Sequence, residues 1–579
     1  MIKLNMSDVI SVLNMCKPYL IAIAVILVVG IVAEVMCKKM ENPKRKLVRG
    51  NAILAMVLGV VIVANLICTG PMSTLLTLST QAAETVSDET TEQSNEDCRT
   101  IAAEGTVLLE NDGVLPLKDT KNINVFGWAS VNPIYGGSGA GALNDLYDRV
   151  TMLEGLEDAG FKLNSELTDL YTNYGKERAD YGSDWSLPEV PAEEYSDELI
   201  ENAKEFSDTA IVTIARWGGE GSDLPTDMSS VSYTNNSDSY NDFETGQHYL
   251  ELSQTEKNMI NLVCENFEHV ILVYDGLSTF ELGFVEDYPQ IQGILWCAGP
   301  GQTGFDSLGK IISGEVNPSG KTSDTFLYDL TETPTWNNFG DFKYDNMDEF
   351  KIDESDPYVG GSVPTFVNYV EGIYVGYRFY ETAAQEGFLD YDKVVKYPFG
   401  YGLSYTDFTQ ELESSSMENG EITLNVKVTN TGDIAGKDVV EVYYNPPYTN
   451  GGIEKSTANL IGYEKTNELK PGESQTVTIS FTAEDMASYD YLENGCYVLE
   501  AGDYEISINS DSHNVIDSVT YTVDEDIVYD EANPRSTDLT AAVNQFGYVD
   551  GHLTYLSRKD GFKNYDETTA APASLSMPE

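Results

Sequence analysis

The chain has 579 residues, enough for several domains that each bury a core of their own. Its 34 Lys and Arg against 94 Asp and Glu leave a formal charge of -60, which repels polynucleotides and anionic membrane surfaces and excludes a nucleic-acid binder. The four histidines, His248, His269, His513 and His552, form no metal-spaced pair with one another or with Cys, and the seven cysteines show no CxxC and no regular framework. Neither a metal, nor a cofactor, nor a disulfide scaffold is expected. Cys264 and Cys297 lie within apolar runs and read as small buried hydrophobes.

Two apolar stretches come first, Leu20–Met36 and Ala52–Cys68, at the short end of the transmembrane range. Glu34 sits near the end of the first, where it can face a partner helix or the interface. Between the stretches lie Lys38, Lys39, Lys44, Arg45, Lys46 and Arg49. Basic loops stay in the cytoplasm, so everything after Cys68 is expected outside the cell membrane. Residues 1–83 thus read as a membrane anchor of two transmembrane helices. Either stretch also fits the apolar region of a signal peptide, with Ser79-Thr80-Gln81-Ala82-Ala83 offering small residues for cleavage. Residues 84–97, rich in Ser, Thr and Glu without periodicity, read as a flexible linker.

From 98 to 408 apolar strands alternate with helical segments, which implies βα units and an α/β domain with a mostly parallel sheet. The strand candidates are Ile123–Phe126, Ala210–Ala215, Val270–Tyr274 and Gly293–Trp296. Ser253-Gln254-Thr255-Glu256 is a capping box opening a helix with Met259, Ile260 and Val263 on its apolar face. Each strand runs into a loop of small or polar residues: Tyr135-Gly136-Gly137-Ser138-Gly139, then Arg216 to Asp223, then Asp275-Gly276, then Ala298-Gly299-Pro300-Gly301. In a parallel sheet all four belong on the carboxyl edge, where ligands bind. That is one expected site. The glycine loop lacks the Lys-Ser/Thr of a P-loop and the acidic residue of a dinucleotide fingerprint, so close approach to a sugar or a tight turn is the better reading.

From 409 to 523 the period switches to two. Ile422, Leu424, Val426 and Val428 alternate with polar residues, as do Val477, Ile479 and Phe481, then Tyr504, Ile506 and Ile508. Turn signals at Asn430-Thr431-Gly432, Pro471-Gly472 and Ala501-Gly502 separate them, which describes an all-β antiparallel sandwich. Residues 524–579 read as a polar, linker-like tail.

Several phrases, in order, resemble glycoside hydrolase family 3, the β-glucosidase group: Ala102-Ala103-Glu104-Gly105 through Pro116-Leu117, Gly136-Gly137-Ser138-Gly139, Gly219-Glu220-Gly221, Pro300-Gly301-Gln302-Thr303-Gly304, Gly314-Glu315 through Gly320-Lys321, Tyr369 to Glu381 and Pro398 to Tyr405. The resemblance implies an α/β sandwich domain followed by a fibronectin-type-III-like domain, a β-glycoside substrate, and Glu220 as the acid/base of a retaining hydrolysis. It also implies a (β/α)-barrel with the sugar pocket and an aspartate nucleophile, placed last in a permuted subgroup. Thr554-Tyr555-Leu556-Ser557-Arg558 looks like that subgroup's lead into the barrel, and no barrel-sized stretch lies before Cys98 or after Val523. The expectation is a truncated gene product or a barrel-less form. Gly182-Ser183-Asp184-Trp185 mimics the phrase around the family nucleophile, but it lies in a Tyr/Asp/Glu-rich insertion and Asp184 is not expected to attack.

Retaining glycosidases use two carboxyls about 5 Å apart, one donating and one attacking, the donor held neutral by burial or a nearby negative charge. Glu220 fits the donor by loop position; the bland reading makes it one of 94 solvated acids. Arg216 and Asp223 are expected to orient the loop or bind sugar, with Gly136, Gly137 and Ser138 beside them. Trp217 and Trp128 either stack on a sugar ring or pack. Two functions stay open. One is an exported, membrane-anchored β-glycosidase-type protein working with a barrel-bearing partner or as a homo-oligomer. The other is a non-catalytic cell-surface protein that binds carbohydrate or such a partner. The basic loop predicts that protease added to intact cells removes the soluble domains; protection until the cells are lysed would overturn this topology.

Overall fold

The computed structural model describes all residues except 1–5, 74–75, 77–85, 139–142, 144–146, 177, 179–183, 222, 341, 344, 357–359, 539, 541, 543–552 and 573–579. The chain divides into two compact units, residues 1–91 with 348–364, and residues 92–347 with 365–579.

In the first unit, α1 (Met6–Cys37) and α2 (Asn42–Thr69) form an antiparallel hairpin, both helices long and apolar enough to cross a membrane. Gly30 faces Met56 and Gly59 faces Ile26, so small residues let the backbones approach. Their outer faces leave Ile21, Val29, Val61 and Ile62 exposed. Glu34 finds the partner-helix contact expected of it, accepting from Arg49 Nε at 3.2 Å. The basic stretch is only partly a loop: Lys44 to Arg49 lie in the first turns of α2, entered through a proline. The cleavage-like stretch from Ser79 to Ala83 lies outside the described residues.

The expected linker is largely helical. α3 (Asp88–Gly105) begins with Ser87 Oγ accepting from the Thr90 amide, and with acidic residues in its first turn. It docks by polar contacts: Arg99 pairs with Asp306 at 2.8 Å, and Thr303 and Ser307 donate to the Asn95 and Arg99 carbonyls. Only Ala102 is buried, so no apolar periodicity marks this helix in the sequence.

The second unit holds the α/β domain. Its strands are β1 (Val107–Asn111), β2 (Asn122–Phe126), β3 (Lys162–Leu163), β4 (Thr209–Arg216), β5 (His269–Gly276) and β6 (Ile291–Trp296), in the order β1-β6-β5-β4-β2-β3. All neighbours are parallel except β1, which runs antiparallel to β6. One face packs on α4 (Met152–Asp158) and α8 (Phe305–Ser313), the other on α5 (Ser165–Asn173), α6 (Asp197–Phe206) and α7 (Gln254–Asn266). Ala210, Val212 and Ile214 face the second set while Ile211 faces the first, which is why β4 reads as an unbroken apolar run. Burial holds the Cys264 thiol up at about 12 and raises that of Cys297.

The capping box forms as read: Ser253 Oγ accepts from the Glu256 amide, and Glu256 Oε2 accepts from the Ser253 amide at 2.8 Å. Glu256 has a second task. Its two oxygens take Arg216 Nη1 and Nη2, each at 2.7 Å, joining the end of β4 to the start of α7.

A short pair, β7 (Phe326–Leu327) with β8 (Val395–Tyr397), and α9 (Tyr377–Gln385) complete the domain. The sandwich follows: β9 (Phe408–Glu418), β10 (Glu421–Asn430), β11 (Val439–Asn445), β12 (Asn459–Lys465), β13 (Ser474–Thr482), β14 (Ser488–Asp490), β15 (Cys496–Leu499), β16 (Gly502–Asn509), β17 (Val515–Val523) and β18 (Ile527–Tyr529). The sheets order as β13-β10-β9, β12-β11-β16-β17 and β14-β15-β18, all antiparallel. The alternating residues named from the sequence are the core. A polar seam joins the two domains. Glu104 binds Lys437 and Lys465, and Glu381 accepts from Tyr391, Ser512 and His513.

Parts of the tail among the described residues are packed. β18 pairs with β15, and Leu556 and Phe562 are buried against Tyr374 and Phe379. Arg558 is buried too; it pairs with Glu386 at 2.6 Å and donates to the Lys455 carbonyl. The tail's polar composition hid two apolar anchors six residues apart.

Two measurements test this packing. Glu256→Gln strands a guanidinium in the core and should cost about 3–5 kcal/mol in urea unfolding, while paired apolar replacements at 216 and 256 should recover most of it. A loss below about 1 kcal/mol would make the pair dispensable. Burial pushes Glu189, Glu441 and Asp275 up to about 8, so the folded chain keeps three protons that the unfolded chain releases at about 4. Their stabilisation is whole below the unfolded value and is lost as pH rises toward 8. His513, raised by Glu381, acts in the same direction above 6.5. Stability should therefore fall from about pH 5 to about pH 8, by up to about 1.4 kcal/mol per pH unit for each carboxyl. Glu189→Gln and Glu441→Gln should flatten that slope; a rising slope would refute it.

Candidate active site

The four loops do meet on the carboxyl edge of the sheet. Ser138, after β2, forms an isolated parallel bridge with Gly219, after β4, and Ser138 Oγ donates to the Glu220 carbonyl at 2.8 Å. Gly219 has φ 154, and a Cβ there would lie 2.4 Å from the Ser138 amide nitrogen. No other residue fits that contact. Leu277, after β5, reaches both Gly137 and Gly299, and the Gly301 amide, after β6, donates to the Tyr135 carbonyl at 2.9 Å. Gly139 and Ser222 lie outside the described residues.

Asp275, at the end of β5, anchors the first loop from below. Its Oδ2 accepts from the Ile134 amide at 2.6 Å, while burial pushes the carboxyl up to about 8. Its other oxygen is buried without a hydrogen-bond partner among the described residues. Sequence reasoning took Asp275 only as part of a loop. The available signal was an acid closing a fully apolar strand, where a carboxyl must find a backbone donor or become neutral.

On this ledge Glu220 is exposed and held by its backbone, and Asp223 is exposed beyond it. Trp217 is half-buried against Ala129, Ile134 and Ala215, its amide donating to Tyr249 Oη at 3.3 Å. Gly136, Gly137 and Ser138 form the facing rim. The result is an exposed carboxylate on a tight glycine turn. Among the described residues no cluster of three or more His, Cys, Asp or Glu could hold a metal.

Three residues weighed in the sequence are held in packing and hydrogen-bonding roles. Arg216 cannot bind sugar: it is wholly buried, and its five N–H donors go to Glu256, to the Tyr249 and Glu251 carbonyls and to its own neighbour, the Ala215 carbonyl. Trp128 is a core residue, its amide donating to Glu189 and its ring facing Arg178 at 5.2 Å. Asp184 accepts from the Ser186 amide and hydroxyl in a turn, and Trp185 packs edge-on to Tyr249, so this part of the nucleophile-like phrase serves the insertion's packing. Gly182 and Ser183 of that phrase lie outside the described residues.

Comparison with known proteins agrees with this architecture. Residues 106–377 match the glycosyl hydrolase family 3 C-terminal domain, and residues 438–512 a fibronectin type III-like domain. The chain is 32% identical over 450 residues to a β-glucosidase of Ruminococcus albus, covering 76% of this chain and 42% of that protein. It is 32% identical over 463 residues to β-glucosidase A of Butyrivibrio fibrisolvens, covering 75% and 52%. The structure of β-glucosidase 3B from Thermotoga neapolitana in complex with α-D-glucose superposes with a TM-score of 0.61 at 29% identity, covering 76% of this chain and 55% of that one. The chain thus spans about half the length of the curated relatives it matches. The chain carries the C-terminal-type α/β domain of glycoside hydrolase family 3, followed by a fibronectin type III-like domain.

Proposed function

We propose that this chain supplies the general acid/base, Glu220, to the hydrolysis of β-glucosides by a retaining mechanism, the nucleophile coming from a barrel that its 579 residues do not include. The observation that carries this reading is the Glu220 ledge, a carboxylate on a glycine turn bridged to Ser138 at the carboxyl edge of the sheet. Similarity to β-glucosidases over three quarters of the chain supports the substrate class. A barrel docked over the ledge would exclude water from Glu220, and burial next to an ionised nucleophile raises a donor's pKa into a working range. Glu220 would protonate the leaving oxygen in the first step and activate water in the second. Asp223 and Trp217, at the open end of the same loop, are the residues placed to bind sugar.

The reading extends to location. α1 and α2 form a membrane-spanning hairpin with the basic residues Lys38 to Arg49 in the cytoplasm and the soluble domains outside. Their length and their exposed apolar faces support this, as does the ion pair that satisfies Glu34 within the hairpin.

Activity tests the proposal. The chain alone should hydrolyse an aryl β-glucoside no faster than buffer, and joined to the barrel of a family relative it should turn over. In that assembly Glu220→Ala should lower the rate on poor leaving groups by about 10²–10⁴-fold and on good ones far less, since only the former need a proton in the transition state. Equal losses on both would make Glu220 a positioning residue. Turnover by the chain alone, abolished by Asp184→Asn, would move the nucleophile into the insertion.

A further inference from the structure

The long connection from β4 to α7 begins with the Glu220 ledge and then folds into a cleft that the ledge chemistry does not use. The cleft has a volume of about 1000 Å³ and lies between this connection and the first turn of α7. Because β4 and β5 are parallel, that first turn is on the carboxyl edge of the sheet, the edge that carries Glu220.

Its walls are fixed before any ligand arrives. Tyr233 packs edge-on to Phe243 with ring centroids 5.5 Å apart, and Tyr240 Oη lies in hydrogen-bond contact with Thr255 Oγ1 at 3.1 Å. Beneath them Asp242 accepts from Thr255 Oγ1 at 2.5 Å and from the Asn236 amide at 2.7 Å. Gln247 spans the far wall, its Oε1 accepting from the Glu244 amide and its Nε2 donating to the Leu252 carbonyl. Such a site pays little ordering entropy on binding.

The lining has a definite chemistry. Two tyrosine rings offer apolar faces with polar tips, and amides and carboxylates stand around them. Asp242, Glu244 and Glu251 outnumber the one lysine of the wall, Lys257, so an anion is repelled on a chain already at -60. What fits aromatic faces, many hydrogen-bonding groups and a negative field is an uncharged polyhydroxyl chain.

We propose that this cleft binds a neutral β-linked oligosaccharide, as a glycan site separate from the Glu220 ledge. The choice of β-linkage rests on the β-glucoside reading above; the site itself is tested by binding, without hydrolysis.

The full chain in detergent is titrated with cellotetraose and with tetragalacturonate, by calorimetry and saturation-transfer NMR. Cellotetraose should bind saturably, and tetragalacturonate about tenfold more weakly or worse. Thr245→Trp, a bulky change at an exposed rim position, and Tyr240→Ala should each weaken cellotetraose about tenfold or more. Tyr240→Phe, which keeps the ring, should stay within about twofold, as should Tyr463→Ala at an exposed position of the sandwich domain. If Tyr240→Ala fails to fold, Thr245→Trp decides. No saturable binding, equal binding of the anionic sugar, or full affinity in Thr245→Trp would overturn the proposal. Loss in Trp217→Ala alone would place the sugar on the ledge instead. A failed titration leaves the Glu220 experiment intact, and inactive assemblies leave the titration intact.

Discussion

A fully buried guanidinium at the end of β4 sets the terms for everything around it. Arg216 has no solvent to fall back on, and desolvating a charge costs several kcal/mol unless geometry and hydrogen bonds repay it. Here the repayment is complete: a bidentate carboxylate from Glu256 and three carbonyls use every N–H. Those partners come from three places. Glu256 is the capping residue of α7, Tyr249 and Glu251 close the long insertion, and Ala215 is β4 itself. One side chain thereby ties strand, helix and insertion together. The segment that follows it immediately is the Glu220 ledge.

That anchoring allows an exposed carboxylate to be well placed. The backbone of the Glu220 loop is bridged to Ser138, possible only because Gly219 leaves no Cβ in the way. Below the ledge, Asp275 fastens the Ser138 loop through the Ile134 amide. Glu189 and Asp275 are buried and shifted toward their neutral forms, whereas Glu220 is exposed. An open acid on a rigid support suits a site that a second surface completes.

The sandwich domain contributes through its seam more than through its core. Glu104, Glu381 and Glu386 on the α/β side meet Lys437, Lys465, His513 and Arg558 across it, and the tail passes from one domain back to the other. Polar seams of this kind fix orientation through geometry, since each charge is costly to leave unpaired once half-buried.

Periodicity and turn chemistry alone settled the fold class. The apolar run Ala210–Ala215, bounded by a glycine loop, reads as a strand covered on both faces, and the alternation around Ile422–Val428 as a half-buried sheet, and both are what the structure holds. The capping box at Ser253 and the convergence of four strand-end loops, Glu220 among them, follow from the same local rules. What the sequence could not show is which charged residue turns inward. Arg216 and Glu220 are four residues apart in one polar phrase, yet one lies in the core and the other in water. That difference depends on Glu256, forty residues on, and no local pattern encodes a partner at that distance. The same holds for α3 and the tail. Their polar composition is that of a linker, and they are held by contacts such as Arg99 on Asp306 and Arg558 on Glu386 that exist only once distant segments have come together. Local backbone preference is written residue by residue; the burial of a charge is decided by the whole chain.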